Sequence, residues 1–269
     1  MNFDNKHCLI TGASGGIGQA LAQALHQAGV RLILTGRDIG EIQKLNIELG
    51  GKHQCLVSDI ASTRGREAII KTIINDTSIN LIVQAAGTSS FGQLHDLSAQ
   101  ELEHSIAVNL LAPMLITQGI VKVLSQRGPC TIVNVGSAFG SIGFPCFSTY
   151  CAGKFGLRGF TEALQREYAG TNMNVCHFAP RATQTGFNSQ AIDEMNRALG
   201  NGIDSPGAVA KAFMAMLKKD QKRRTVGWPE KLLCRVNGMF PELVDNPLRK
   251  KRKTIIHFAE QHMLEGIPS

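Results

Sequence analysis

The chain has no C-x-x-C pair. Its seven cysteines (8, 55, 130, 146, 151, 176 and 234) are odd in number and scattered. That excludes a disulfide framework and a structural zinc site, and fits a reducing compartment. No metal site is expected. No apolar run reaches 18 residues, so a spanning helix is not expected. The N-terminal stretch MNFDNKHCLITGASGG lacks a long apolar core, so no signal peptide is expected either, and a cytoplasmic location follows as the expectation. There is no internal repeat and no low-complexity linker, which favours one domain for most of the 269 residues. With 43% hydrophobic and 18% charged residues, the composition is that of a globular protein.

Charge is scarce over most of the chain and concentrated at one end. Residues 218–253 hold 12 of the 28 Lys and Arg and 4 of the 21 Asp and Glu, so the remainder, with 16 basic and 17 acidic residues, is nearly neutral. A basic block of this kind fits an anionic partner or a solvated surface. It carries no recognised nucleic-acid reader, so nucleic-acid binding is not expected.

Apolar runs at Cys8–Thr11, Arg31–Thr35, Gln54–Val57, Leu81–Ala85, Thr131–Val135 and Met173–Phe178 read as strands. Several are apolar without alternation, as strands buried on both faces of a parallel sheet are. Amphipathic stretches near 17–28, 38–49, 64–75, 99–126 and 148–169 lie between them. Strand alternating with helix predicts an α/β fold. Ser98 with Glu101 fits a capping box, and Ser205 before Pro206 an N-cap followed by Pro at N1. Past Trp228, apolar residues 232, 233, 236, 239, 240, 243 and 244 recur at helical spacings, interrupted by Pro241 and Pro247. The run Arg249-Lys250-Lys251-Arg252-Lys253 follows them. Such a segment suits peripheral attachment to a membrane surface or contact with an acidic carrier protein. It equally suits packing on its own domain or on a sister subunit.

After the first strand stands Thr11-Gly12-Ala13-Ser14-Gly15-Gly16-Ile17-Gly18, opening a helix. Backbone N–H groups at a glycine-rich helix start suit phosphate binding. The G-x-G-x-x-G fingerprint fails, because Leu21 occupies its last position. The spacing T-G-x-x-x-G-x-G instead resembles the short-chain dehydrogenase/reductase family of the shorter, classical type; extended relatives, many epimerases and dehydratases among them, space these glycines differently. The resemblance covers roughly residues 5–228. It implies a doubly wound Rossmann-type parallel sheet of order 3-2-1-4-5-6-7 with helices on both faces. To this are added a substrate loop near 183–205 and a C-terminal helical extension over 229–269. It also implies a homodimer or homotetramer acting on a small carbonyl or alcohol substrate.

The same resemblance implies roles. Gly12, Ser14, Gly15, Gly16, Ile17 and Gly18 would hold the pyrophosphate, Asp59 and Ile60 the adenine, and Ala86 with Gly87 would let the cofactor approach the backbone. Pro180, Thr183 and Thr185 would contact the nicotinamide end. NAD-preferring relatives carry an acid at the end of the second strand; here Gly36-Arg37 stands there, so NADP(H) is expected over NAD(H), with Arg37 on the 2′-phosphate. Asp38 would cap the next helix.

Tyr150 and Lys154, four residues apart, share one helix face. A free Tyr has a pKa of about 10. A nearby ammonium would lower it and suit the phenol for proton exchange with a carbonyl or alcohol. In the family, Ser137 orients substrate, and Asn109 holds a water beside the lysine, completing a relay with Tyr150 and Lys154. Both chain departures from the pattern lie at strand ends. Gln84-Ala85-Ala86-Gly87 replaces Asn-Asn-Ala-Gly, losing an asparagine that braces the sheet. Arg181 replaces a glycine and would either meet an anionic substrate or point outward. Phe187, Ile192, Met195, Leu199 and Ile203 in the loop suit an apolar, lipid-like substrate such as a fatty-acyl or sterol-like ketone, and equally ordinary lid packing. A cofactor-sensing protein without catalysis is the rival reading; it would be expected to lose Tyr150, Lys154 or Ser137.

Overall fold

The computed structural model describes residues 1–265, without the side chain of Glu265. In chain order it contains β1 His7–Thr11, α1 Gly16–Gln27, β2 Arg31–Gly36, α2 Ile39–Glu48, β3 Gln54–Val57 and α3 Thr63–Asn75. There follow β4 Leu81–Gln84, α4 Ala99–Ile106, a π-helical turn Ala107–Leu111, α5 Ala112–Ser125 and β5 Cys130–Val135. The second half adds α6 Ser148–Glu167, β6 Met173–Ala179, α7 Gln190–Ala198, α8 Pro206–Lys218, β7 Arg223–Thr225, α9 Glu230–Met239 and α10 Glu242–Glu265. All strands are parallel, in the order β3-β2-β1-β4-β5-β6-β7. This is the Rossmann-type order that the resemblance implies.

Strand pleating sends alternate residues to opposite faces, and each face meets its own layer of helices. Cys8, Ile10, Leu32, Leu34, Leu81 and Val83 join Leu21, Leu25, Val209 and Phe213 on the side of α1 and α8. Leu9, Ile33, Ile82 and Ile132 join Ile69, Ile73, Ile116, Ile120 and Leu164 on the side of α3, α5 and α6. Two buried faces explain why these strands are apolar at every position. They also explain the apolarity of 99–125, the one stretch among the described residues long and apolar enough to cross a membrane. Ala112, Ile116, Ile120 and Leu124 bury there against the sheet, as in a core helix.

Three expected caps are present. Asp38 accepts from the N–H groups of Gly40 and Glu41. Ser205 accepts from Ala208. Ser98 Oγ accepts from Glu101 N at 3.2 Å while Glu101 Oε2 accepts from Ser98 N at 2.8 Å, a reciprocal capping box. Ser98→Ala is expected to cost about 1 kcal/mol, read as a lower midpoint in thermal or urea unfolding.

Gln84 takes over the bracing that the missing asparagine would supply. Its amide donates to Thr117 Oγ1 at 2.9 Å, Asn134 Oδ1 at 3.0 Å and the Pro113 carbonyl at 3.3 Å, linking β4 to β5 and α5.

Three elements depart from the sequence reading. β7 is three residues of charged and polar sequence at a sheet edge, where no second face demands apolar side chains. The helix expected over 99–126 is interrupted by the π turn. The loop expected near 183–205 contains α7, capped by Ser189. The segment expected as an extension begins with α9 and α10; residues 266–269 lie outside the described residues. Val244, Leu248, Lys251, Ile255 and Ala259, at helical spacing, form the inward stripe of α10. Ile255 and Ala259 pack with Ile192 and Met195 of α7.

Candidate active site

The turn between β1 and α1 is built by glycines for two separate reasons. Gly12 has φ +66°, and a Cβ there would lie 2.7 Å from the Ala86 Cα. A Cβ on Gly18 would overlap the Gly12 carbonyl. These two glycines are therefore required by the packing of the turn itself. Gly15 is different: a Cβ there meets only the Gly12 carbonyl at 3.4 Å, and its open side faces the cavity. No side chain caps α1, although Asp or Ser caps α2, α3, α4, α7 and α8. The first-turn N–H groups of Gly16, Ile17 and Gly18 thus form a positive helix end suited to a pyrophosphate. The loop after β6 closes over this turn, since a Cβ on Gly16 would overlap Thr185.

At the end of β2, Gly36 packs beside Ser14, with a Cβ position 3.0 Å from its hydroxyl. Arg37 is exposed at the cavity rim and makes no ion pair among the described residues. Asp38 turns its carboxylate to the α2 cap, at 2.7 Å from Gly40 N. Asp59 and Ile60 line the same end of the cavity, and Asp59 Oδ1 accepts from Ala61 N at 3.0 Å. Ala86 N donates to Thr11 Oγ1 at 3.2 Å, fixing Ala86 and Gly87 beside the glycine turn. Pro180 and Thr183 line the far end; the Thr183 hydroxyl donates to the Arg181 carbonyl at 2.9 Å. These residues converge on one groove, which fits a dinucleotide in shape and donor set.

Ser137, Tyr150, Lys154 and Asn109 come from three elements. Ser137 sits just past β5, its Oγ accepting from Phe139 N at 3.1 Å. Tyr150 is in the first turn of α6, and the Lys154 ammonium lies 5.8 Å from its ring centroid. Lys154 Nζ donates to the Val135 carbonyl at 3.1 Å. Asn109 lies in the π turn, a break that is frequent at functional sites. Its Nδ2 donates to the Thr88 carbonyl at 2.9 Å, and its Oδ1 accepts from Thr88 N at 3.2 Å. A Cβ on Gly87 would lie 3.2 Å from Asn109 Oδ1 and 3.6 Å from Lys154 Nζ, so both side chains border the same gap.

Burial dominates the electrostatics. It pushes Tyr150 up to about 12, against a smaller opposing pull from the Ser137 hydroxyl. The ammonium-driven lowering of Tyr150 expected from the sequence is not found among the chain's own groups: only the Ser137 hydroxyl opposes the upward shift. Burial also pushes Lys154 down to about 8. At neutral pH the charged Lys154 is held in the fold at a cost. Lys154→Met is expected to stabilise the cofactor-free protein at pH 7 by about 1–2 kcal/mol. The folded pKa lies below the unfolded one, so wild-type stability gains as pH rises through 8. The advantage of the variant therefore shrinks toward about pH 9.5. Thermal midpoints at the two pH values check this.

Beyond Tyr150 the cavity, ≈ 760 Å³ in all, becomes aromatic and aliphatic. Phe139 stacks on Phe144 at 4.7 Å, and Phe147 and Phe187 approach the Tyr150 ring at 6.3 and 6.2 Å. Of the loop residues, Ile192 and Met195 line this chamber while also burying in the lid core. Phe139, Phe144 and Phe147 were missed in the sequence; three phenylalanines crowded between Ser137 and Tyr150 were the available signal.

Arg181 corrects an expectation. It neither presents a free cation to the cavity nor points outward. Its guanidinium pairs with Asp204 at 2.8 and 3.0 Å and with Glu230 at 2.9 Å, and donates to the Trp228 carbonyl at 3.0 Å. Two carboxylates take up its charge, so it ties the end of β6 to the loop and to α9.

The comparisons agree with this geometry. The family model described as short chain dehydrogenase matches residues 6–196. An uncharacterized oxidoreductase, YxnA, of Bacillus subtilis is 28% identical, with 94% of this chain and 73% of that protein covered. The 3-oxoacyl-[acyl-carrier-protein] reductase FabG of Rickettsia typhi is 30% identical over 80% of this chain and 91% of its own length. A short chain dehydrogenase/reductase from Burkholderia phymatum, solved in complex with NAD, superposes with a TM-score of 0.81 at 21% identity, over 90% of this chain and 96% of that one. One from Burkholderia cenocepacia, solved with NADP, gives 0.78 at 18%, over 92% and 99%. At those identities the two structures speak for the fold. On the family match and the site's architecture together, the chain belongs to the short-chain dehydrogenase/reductase family of oxidoreductases.

Proposed function

We propose that the protein is an NADP(H)-dependent reductase of an apolar, lipid-like ketone or 3-oxoacyl compound, working reversibly on the corresponding secondary alcohol. The observation that carries the reading is the meeting of Tyr150, Ser137 and Lys154, with Asn109 behind Gly87, where a dinucleotide groove opens into a phenylalanine-walled chamber. The apolar chamber favours a hydrophobic carbonyl compound. The 3-oxoacyl reductases among the relatives support the same substrate class.

When bound, the nicotinamide supplies the hydride to the carbonyl carbon or accepts it back. The chain handles the proton. Tyr150 Oη–H donates to the carbonyl oxygen, and the Ser137 hydroxyl orients that oxygen. The Tyr150 phenol carries its proton throughout neutral pH, so it holds the proton that carbonyl reduction consumes, although burial alone makes it a weaker acid than a free tyrosine. Lys154, held near 8, exchanges a proton readily at neutral pH and can restore the phenol. Asn109 holds the π turn against Thr88 beside Lys154.

The preference for NADP(H) rests on Arg37. It stands exposed at the adenosine end, while the acid next to it in sequence, Asp38, is engaged in capping α2. A panel of apolar ketones and 3-oxoacyl thioesters, followed by NADPH consumption with Tyr150→Phe as the blank, tests the proposal. Absence of Tyr150-dependent consumption across the panel would overturn it.

A further inference from the structure

The outward face of α9 and α10 is apolar and basic at once. Six large apolar side chains between residues 228 and 243 are exposed: Trp228, Leu232, Leu233, Met239, Phe240 and Leu243. Trp228 and Met239 are 69% and 71% exposed; single side chains elsewhere, such as Ile47, are as exposed, and it is the run of six within sixteen residues that marks this face. The inward side of α9 is occupied. Glu230 pairs with Arg181, Cys234 is buried, and Asn237 donates to the Ser141 carbonyl. These positions recur at i, i+4 and i+7, so Leu232 and Met239 fall on the opposite side of the helix. On α10, Leu243, Lys250 and Lys253 lie at i, i+7 and i+10, and share the flank turned away from the buried stripe. Lys251, by contrast, points inward and donates to the Leu199 carbonyl.

We infer that this face docks on the surface of an anionic phospholipid bilayer, with Trp228, Met239 and Phe240 entering the interface and Lys250, Lys253 and their basic neighbours meeting the headgroups. Charge complementarity argues for that occupant. Residues 228–253 carry seven basic and three acidic side chains, and one of the acids, Glu230, is paired. Exposed apolar anchors beside like-signed charges are the combination that interfacial attachment requires. A second copy of the chain is disfavoured, because an isologous contact would bring the lysines of one copy against those of the other. The cavity that holds Tyr150 reaches this face at Leu233 and Leu243, which line it and are themselves exposed. Resting on the apolar-ketone reading above, the docked orientation presents that end of the cavity to the lipid from which the substrate is drawn.

Trp228 is the only tryptophan of the chain, so the protein carries its own probe. The full-length protein is mixed with vesicles of phosphatidylcholine alone or of phosphatidylcholine with phosphatidylglycerol, at low and high salt. Co-sedimentation with the anionic vesicles at low salt is expected, with a blue shift of Trp228 emission and quenching by brominated lipid chains. Lys250→Gln with Lys253→Gln is expected to lower partitioning about 30-fold, near fivefold for each charge. Met239→Glu with Phe240→Glu is expected to abolish binding and leave reduction of a short soluble ketone unchanged. Tyr150→Phe is expected to bind vesicles as the wild type does, so that loss of turnover and loss of docking are read separately. Docking is overturned by an unshifted Trp228 and a wild type that stays in the supernatant, or by lysine variants that bind equally well. It is also overturned if Met239→Glu with Phe240→Glu changes the oligomeric state, which would assign the face to a sister subunit.

Discussion

Tyr150→Phe is expected to reduce its ketone about 10²–10⁴-fold more slowly than the wild type, the range that a positioned general acid contributes. The change removes one oxygen from a ring that packs among Phe139, Phe147 and Phe187, and all of those contacts are made by ring carbons. The aromatic cluster therefore keeps its shape. The lost hydroxyl is also one that burial holds neutral, so its removal leaves no unpaired charge behind. Folding and NADPH binding should persist, measured by thermal melting and by fluorescence titration of the nucleotide, while the turnover number collapses. A variant that turns over within a fewfold of wild type would show that another group delivers the proton.

Arg37→Ala is expected to weaken NADPH binding about 10- to 100-fold and to leave NADH binding nearly unchanged, the loss that follows from removing charge-assisted hydrogen bonds. The selectivity of the effect is the test. Arg37 contributes no hydrogen bond or ion pair to the fold among the described residues, so its removal should not unfold the end of β2. Asp38 remains on its cap in the variant, held by two backbone donors, and so does not become a ribose ligand for NADH. Equal losses for the two nucleotides would mean that Arg37 acts on some shared part of them. Dissociation constants for both, measured on wild type and variant at one salt concentration, decide it, since screening weakens an exposed charge contact.

Much of this architecture is legible in the amino-acid sequence. Strands buried on two faces have to be apolar throughout, and β1, β2, β4 and β5 announced themselves that way. Asp38, Ser98 and Ser205 named helix starts because an N-cap acts through its own neighbours. The motif glycines and the Tyr150–Lys154 pair were visible for the same reason, since a turn and a helix face are set over a few residues. β7 left no such mark: a short edge strand has one neighbour and no second layer to bury against. The phenylalanine chamber was also hidden, because it forms only when the segment after β5 folds against α6 and α7.

The sequence alone therefore specified the alternation of strand and helix, the caps, the glycine turn and the residue types of the site, all of which depend on local spacing. Tertiary structure decided what each side chain faces. It gave Arg181 to Asp204 and Glu230, some 23 and 49 positions away along the chain. It used Gln84 to brace β4 against β5, and it buried Tyr150 and Lys154 deeply enough to drive their pKa values in opposite directions. It also left Leu232, Met239 and Phe240 outside the core, although their spacing alone was equally consistent with burial. Helical periodicity says that a face is apolar; which surface covers it depends on what the rest of the chain brings alongside.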